Sequence, residues 1–308
     1  MILKFDREEK TRLDSYLSDA LKDMSRSHIQ KLIRSGEITV NGAASKPGCL
    51  LSPGDEIEIP ETEPCEPEIL PEDIPLDIVY EDADLIVVNK PKGMVVHPAA
   101  GHNGGTLVNA LLYHCKDSLS GINGVLRPGI VHRIDMDTTG LLIACKNDSS
   151  HRSIAEQLAV HSITRRYLAL VHGCIREDEG TVDRPIGRSD KDRKKMSVVS
   201  PEKGKHAVTH YRVLARCPEA SLVECRLETG RTHQIRVHMA SIGHPLFGDC
   251  VYGTKKDRYL SFGQFLHAKV LGFVHPSTGE YMEFSAPLPD YFLDVLKKLK
   301  LTQELSEY

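Results

Sequence analysis

The chain has 308 residues, 40% apolar and 27% charged, with a formal net charge of −4. That is an ordinary globular composition, long enough for a small module beside a catalytic domain with its own core. No apolar run reaches roughly 18 residues and no apolar leader opens the chain, which excludes a membrane-spanning helix and predicts a cytosolic, cytoplasmic protein.

The eight cysteines are scattered without a C-x-x-C pair, so reduced thiols are expected rather than a zinc ribbon or a disulfide framework. The acidic total is unevenly spread. Residues 61–84 hold ten acids and no Lys or Arg, and without them 39 basic side chains face 33 acidic ones. A phosphate backbone feels the local field, so the total does not argue against a nucleic-acid partner.

Residues 1–59 read as a small α/β unit. Ser25 can cap a helix with Ile29, Leu32 and Ile33 as its apolar stripe and Gly36 at its end. Arg26, Lys31 and Arg34 then project away from that stripe. They are either a solvated helix face or phosphate contacts. Glu37 to Gly42 follows as an alternating run whose Asn41-Gly42 signals a hairpin turn. Residues 60–75 alternate prolines with acids, which denies a helix and favours an extended linker.

From residue 76 to the end, short strand-like runs alternate with helical ones. Asp84 to Asn89 reads as a buried strand ending in the turn Lys90-Pro91-Lys92-Gly93, and Leu222 to Glu228 alternates like a half-buried strand. Thr232 can cap a helix with Ile235, Met239 and Ile242 on one face and Gly243 at its end. The expected class is α+β, with a mixed, largely antiparallel sheet flanked by helices and a small N-terminal module.

The densest chemistry lies in Gly129-Ile-Val-His-Arg-Ile-Asp-Met-Asp-Thr-Thr-Gly-Leu-Leu-Ile-Ala, where apolar flanks enclose His132, Arg133, Asp135, Asp137, Thr138 and Thr139. Polar groups held there need partners. Asp135 is then one of three things. It is a structural acceptor of backbone N–H groups from Thr138 to Gly140, the acceptor of a phosphoryl group in a magnesium-dependent D-x-D-x-T site, or a metal-free nucleophile beside an arginine. His132 and Arg133 interrupt the apolar strand that normally precedes the phosphotransferase motif.

Arg133-x-Asp135-x-x-Thr138-x-Gly140 resembles the signature of the RluA-type pseudouridine synthases. In the same order stand Val88-Asn-Lys-Pro-Lys-Gly, Val96-His-Pro, Ile163-Thr-Arg-Arg-Tyr-Leu-Ala-Leu-Val-His-Gly, Lys194-Lys-Met-Ser-Val, Gly230-Arg-Thr-His-Gln-Ile-Arg-Val-His and Leu266-His-Ala. The first segment is similar to the S4 RNA-binding module, and the stretch from Tyr80 to Leu112 is most like the synthase D branch of large-subunit ribosomal RNA enzymes.

The resemblance implies that specific uridines of large-subunit (23S) ribosomal RNA, in helix 69, are isomerised to pseudouridine. The partner is that RNA or its assembling particle, with a tRNA or another RNA site as the alternative and with no membrane, metal or small-molecule cofactor. It implies Asp135 as nucleophile, Arg231 as its cationic partner, Tyr167 packed on the target base, and Arg133 filling the stack left by the everted uridine. Such a carboxylate has three routes: addition to C6, attack on C1′, or assistance in removing a ribose proton. Structural hydrogen-bonding roles are expected for His132, His233 and His267. Five basic residues among 188–195, with Arg188, Arg193, Lys194 and Lys195 foremost, form a second expected grip on RNA beside Arg26, Lys31 and Arg34. An aspartyl phosphotransferase or a non-catalytic RNA-binding protein are the rival functions.

Overall fold

The computed structural model describes residues 1–7, 9–21, 24, 26–60, 69–98, 102, 104–116, 118–122, 124, 127–190, 192 and 195–302, less the side chains of Ser27 and His28. Two compact units divide the chain, Met1–Glu68 and Ile69–Tyr308. Among the described residues, no helix is long and apolar enough to cross a membrane.

In the first unit, helices α1 (Leu13–Ala20) and α2 (Arg26–Ser35) accompany strands β1 (Ile2–Lys4), β2 (Thr11–Arg12), β3 (Thr39–Val40), β4 (Ala43–Ala44), β5 (Leu50–Leu51) and β6 (Glu56–Glu58). The strands pair antiparallel as β1-β6-β3-β4 and β2-β5. Ile29, Leu32 and Ile33 of α2 are buried with Phe5, Leu13, Leu17, Ile38 and Ile57. Each such side chain contributes about 1.5–3 kcal/mol on burial. Asn41 and Gly42 both carry positive φ (53° and 74°), the signature of the two-residue turn joining β3 to β4. The cap expected at Ser25 lies outside the described residues.

Asp14 at the start of α1 is fully buried, and it accepts Arg12 Nε at 3.0 Å, Arg26 Nη2 at 3.1 Å and Gln30 Nε2 at 2.7 Å. Arg26 is thus tied to an internal carboxylate and to Ser15, while Lys31 and Arg34 are exposed.

Of the expected linker 60–75, residues 61–68 lie outside the described residues. The remainder runs along the second unit: Ile69 is buried, Leu70 O accepts Asn109 Nδ2, and Glu72 accepts the Gly105 amide.

The second unit carries β7 (Ile78–Glu81), β8 (Leu85–Lys90), β9 (Thr139–Cys145), β10 (Thr164–His172), β11 (Glu179–Asp183), β12 (Ile186–Arg188), β13 (Met196–Val198), β14 (Val208–Cys217), β15 (Ala220–Leu227), β16 (Leu266–Val274) and β17 (Tyr281–Ser285). Its helices are α3 (Leu107–Cys115), α4 (Asp148–Ala159), α5 (Gln234–Ser241) and α6 (Asp290–Lys298). One nine-stranded sheet runs β11-β14-β15-β10-β16-β9-β8-β7, with β17 on β16, and β16–β9 is its parallel pairing. The architecture is the expected α+β one with a largely antiparallel sheet.

Helices cover both faces of this sheet. Tyr167, Ala169 and Val171 of β10 join α3 and α5 in one core, while Leu168 and Leu170 face α6 in another. Strand β15 was expected to be half-buried, yet Leu222 packs on the α6 face and Val223 on the α5 face, because it lies inside the sheet. The parallel register sets Gly140 against Ala268, where a Cβ would collide with backbone and φ is +103°. That explains the glycine of the Arg-x-Asp-x-x-Thr-x-Gly run.

Burial alone would raise the Asp14 pKa, but the bonds from Arg12, Gln30 and Arg26 outweigh it and lower it from 3.8 to about 2. The folded value is depressed, so the stabilisation is present above the ordinary value and is lost as pH falls toward 2. Asp14→Ala should cost the first unit about 1.5–3 kcal/mol, seen as lost hydrogen-exchange protection across α1 in the full chain. Unchanged protection in the variant would contradict this account of Asp14.

Candidate active site

The loop entering β9 carries the polar knot. Its entry is pinned by the Gly129 amide on Ser120 O and the Cys145 amide on Gly129 O. The Thr138 amide then donates to the Asp135 carbonyl, closing a tight turn. The backbone of Asp135 makes this turn bond and its carboxylate points elsewhere, so the structural alternative for Asp135 is not what the chain adopts.

Buried Lys90, at the end of β8, fastens the same turn. Its Nζ donates to Pro91 O, Met94 O and Met136 O at 2.8, 2.9 and 2.9 Å, three acceptors for the three N–H bonds of an ammonium. Burial pushes Lys90 down to about 7, while Asp137 and Asp135 pull the other way. Met136 O also accepts the Gly93 amide, so the turn after β8 and the turn at Asp135 are joined.

Asp135 Oδ2 accepts Arg236 Nη1 at 2.9 Å. The same guanidinium donates Nε and Nη2 to the two oxygens of Asp249, at 2.7 and 2.9 Å, in a bidentate pair. Asp249 is fully buried and also accepts the Val251 and Tyr252 amides. Burial works against the charge on Arg236, but Asp249 and Asp135 outweigh it and raise its pKa. Burial likewise opposes the Asp249 charge, and Arg236 with the two amides lowers its pKa nonetheless.

Sequence expectation assigned the cationic partner to Arg231; the structure places Arg236 there. Arg231 precedes α5 and its Nε bonds His206 O at 2.9 Å. The helix starts at Gln234 rather than from a Thr232 cap, with His233 at the cap position in the left-handed region (φ 57°). Gln234 fixes that start. It accepts the Arg231 amide and the Thr229 hydroxyl and donates to Val208 O and Thr209. Five positions beyond Arg231, Arg236 lies in the first turn of the helix and reaches Asp135. Arg231 and Arg236 line the same cavity, so the motif pointed to the right place and the wrong guanidinium.

That cavity is about 850 Å³, within the range of ligand sites. Its walls include Arg133, Asp135, Arg165, Tyr167, His233 and Arg236. Tyr167 is buried at a bulge of β10, where the β16 register slips between Arg166 and Tyr167. Burial raises its pKa, against Arg165 and with Asp135. Arg133 is exposed and its Nη1 lies 3.2 Å from His97 Nε2. Burial, with Arg133 and Arg127, pushes His97 down to about 4, so it meets Arg133 as a neutral acceptor.

The three expected structural histidines bond protein groups. His132 Nε2 accepts the Ile143 amide at 3.2 Å, His267 Nδ1 lies 2.8 Å from Thr139 Oγ1, and His233 Nδ1 lies 2.8 Å from Tyr252 Oη. Arg193 and Lys194 lie outside the described residues. Arg188 is exposed, and Lys195 is turned inward, its Nζ on Val251 O at 3.1 Å. Arg236 stood in a quoted block without being singled out, whereas Asp249 and Tyr252 stood outside every one. The signal missed was pairing: Asp249 is buried, and a buried carboxylate demands a cation.

Residues 84–241 match the family model described as RNA pseudouridylate synthase, and residues 11–57 match the S4 domain. The chain is 53% identical to the "uncharacterized RNA pseudouridine synthase YlyB" of Bacillus subtilis, over 96% of each chain. It is 50% identical to the "ribosomal large subunit pseudouridine synthase D" of Zymomonas mobilis, over 94% of each, and 44% identical to the protein of that name in Pseudomonas aeruginosa, over 95% of this chain and 93% of that one. Among solved structures, human RNA pseudouridylate synthase domain containing 1 superposes with a TM-score of 0.57 at 27% identity, covering 79% of this chain and 99% of that one. The chain therefore belongs to the RNA pseudouridylate synthase family of isomerases, with an S4 domain at its N-terminal end.

Proposed function

We propose that this protein isomerises uridines of large-subunit ribosomal RNA, in helix 69, with Asp135 as the reacting carboxylate and the target nucleotide everted into the cavity. The observation that carries the proposal is the Asp135 Oδ2–Arg236 Nη1 contact of 2.9 Å in a cavity that Tyr167 also lines. The large-subunit target and helix 69 rest on likeness to the synthase D proteins.

The reaction breaks C1′–N1, turns the detached uracil and joins C1′ to C5, with one proton lost at C5 and one gained at N1. What it asks of a protein is a placed carboxylate, a dry cavity and something for the base to lie on. Arg236 engages Oδ2, and among the described residues Oδ1 accepts no hydrogen bond. Oδ1 is therefore the oxygen that meets the sugar or the base. Tyr167 packs on the uracil, and exposed Arg133 takes its place in the RNA stack. Eversion costs a few kcal/mol, offset by backbone contacts. Lys31 and Arg34 of the S4 domain and the 188–195 loop supply these. Arg26 serves by holding α2 to Asp14, and Lys195 by anchoring its loop to Val251.

Unmodified large-subunit RNA incubated with wild-type protein and then mapped should gain pseudouridines in helix 69. Asp135→Asn, which keeps the shape and loses the charge, should abolish them while binding RNA normally. Product from Asp135→Asn would remove Asp135 from the chemistry, and product only at another site or in another RNA would overturn the target. Separately, replacing Arg193, Lys194 and Lys195 by alanine should flatten the salt dependence of RNA binding, by about 0.7–0.9 in the log–log slope for each phosphate no longer neutralised. An unchanged slope would take this loop out of the footprint.

A further inference from the structure

His233 sits at the mouth of α5 with φ at 57°, a conformation that costs a β-substituted residue of order 1 kcal/mol and marks sites where orientation matters. Its imidazole lies between two groups. Nδ1 is 2.8 Å from Tyr252 Oη, and Nε2 is 3.7 Å from Asp135 Oδ1. Tyr252 Oη also accepts the Met196 amide at 3.0 Å, an arrangement that suits donation of its own proton to His233 Nδ1. The remaining hydrogen then belongs on Nε2, on the side of the carboxylate, which electrostatics favours as well.

Tyr252 is itself held. Its amide bonds Asp249 Oδ1 and its ring lies 5.1 Å beneath the Arg236 guanidinium. Asp135, Arg236, Asp249, Tyr252 and His233 thus close a ring of contacts around the free oxygen of Asp135. Burial lowers the His233 pKa, with Arg236 and Arg133 acting the same way against Asp135 and Asp249, which favours the neutral imidazole.

We infer that His233 is a further catalytic residue, whose Nε2–H, aimed by Tyr252, stabilises the negative charge that leaves Asp135 Oδ1 and appears on the uracil. This rests on the Asp135 chemistry proposed above and holds for each of its routes. Addition of Oδ1 to C6 leaves an enolate at O4. Attack on C1′ sends the C1′–N1 electron pair into the uracil, shared over N1, O2 and O4. Removal of a ribose proton by Oδ1 expels the same anion. In all three, charge leaves the oxygen that His233 adjoins and passes to the uracil bound beside it. At 3.7 Å, Nε2–H is not committed to Asp135 in the free protein. It donates a hydrogen bond and surrenders no proton, so the exchange of the C5 and N1 protons is left to other groups.

Removing one donor to a developing anion typically costs about 10²–10³ in rate. Under single-turnover conditions on unmodified large-subunit RNA, His233→Ala should lose about 10²-fold in rate with its RNA Kd within about threefold of wild type. His233→Gln, whose amide nitrogen falls near the Nε2 position, should recover at least about tenfold of that loss. Tyr252→Phe should slow the wild type and leave His233→Gln unaffected, because Tyr252 acts only through the imidazole. A His233→Ala rate within threefold of wild type overturns the inference. So does His233→Gln as slow as the alanine variant at equal melting temperature, or a Tyr252→Phe effect that persists in the glutamine background. Active wild type with inactive Asp135→Asn confines such a failure to His233; failure of that pair instead overturns the proposed function.

Discussion

One guanidinium organises the catalytic unit. Arg236 has five N–H bonds in a rigid plane, and three of its nitrogens are committed: Nε and Nη2 to Asp249, Nη1 to Asp135. Two carboxylates that would repel each other in a dry cavity are held by one cation, and the cation is desolvated enough to depend on both. Removing Arg236 altogether would leave the fully buried Asp249 charge unpaired, which costs several kcal/mol. A lysine could satisfy one carboxylate and not the other. The orientation of the Asp135 oxygens follows, with Oδ2 engaged and Oδ1 available.

The rest of the second unit makes that pairing possible. Asp135 and Arg236 lie 101 positions apart in the chain. Gly140 allows β9 to approach β16, Lys90 ties the Asp135 turn to the end of β8, and Gln234 fixes where α5 begins. Each serves the register of the loop that bears Asp135 or of the helix that bears Arg236. The first unit uses the same device on a smaller scale, a buried Asp14 between Arg12 and Arg26.

Much of the fold was legible because it depends on local pattern. The apolar run at Leu85–Val88, the stripe Ile29–Leu32–Ile33 and the Asn41-Gly42 turn all formed as their spacing implied. Asp135 and Tyr167 were singled out through motif likeness, and both line the cavity. The choice between Arg231 and Arg236 was not legible. It turns on a helix boundary two residues from the expected cap and on Asp249, distant in sequence from Asp135 and carrying no motif. Charge counting has the same blind spot. Arg26 and Lys195 read as free cations, yet one is bound to Asp14 and the other to a backbone carbonyl.

In the proposed reaction, Arg236 supports chemistry at Asp135. Arg236→Lys keeps a positive charge and removes the fork, so it tests geometry with less risk to folding than a neutral variant. Single-turnover pseudouridine formation by Arg236→Lys, measured below the variant's melting transition, should fall by at least about 10²-fold with RNA affinity near wild type. A rate close to wild type, or a comparable loss in Arg231→Lys with none in Arg236→Lys, would contradict the account.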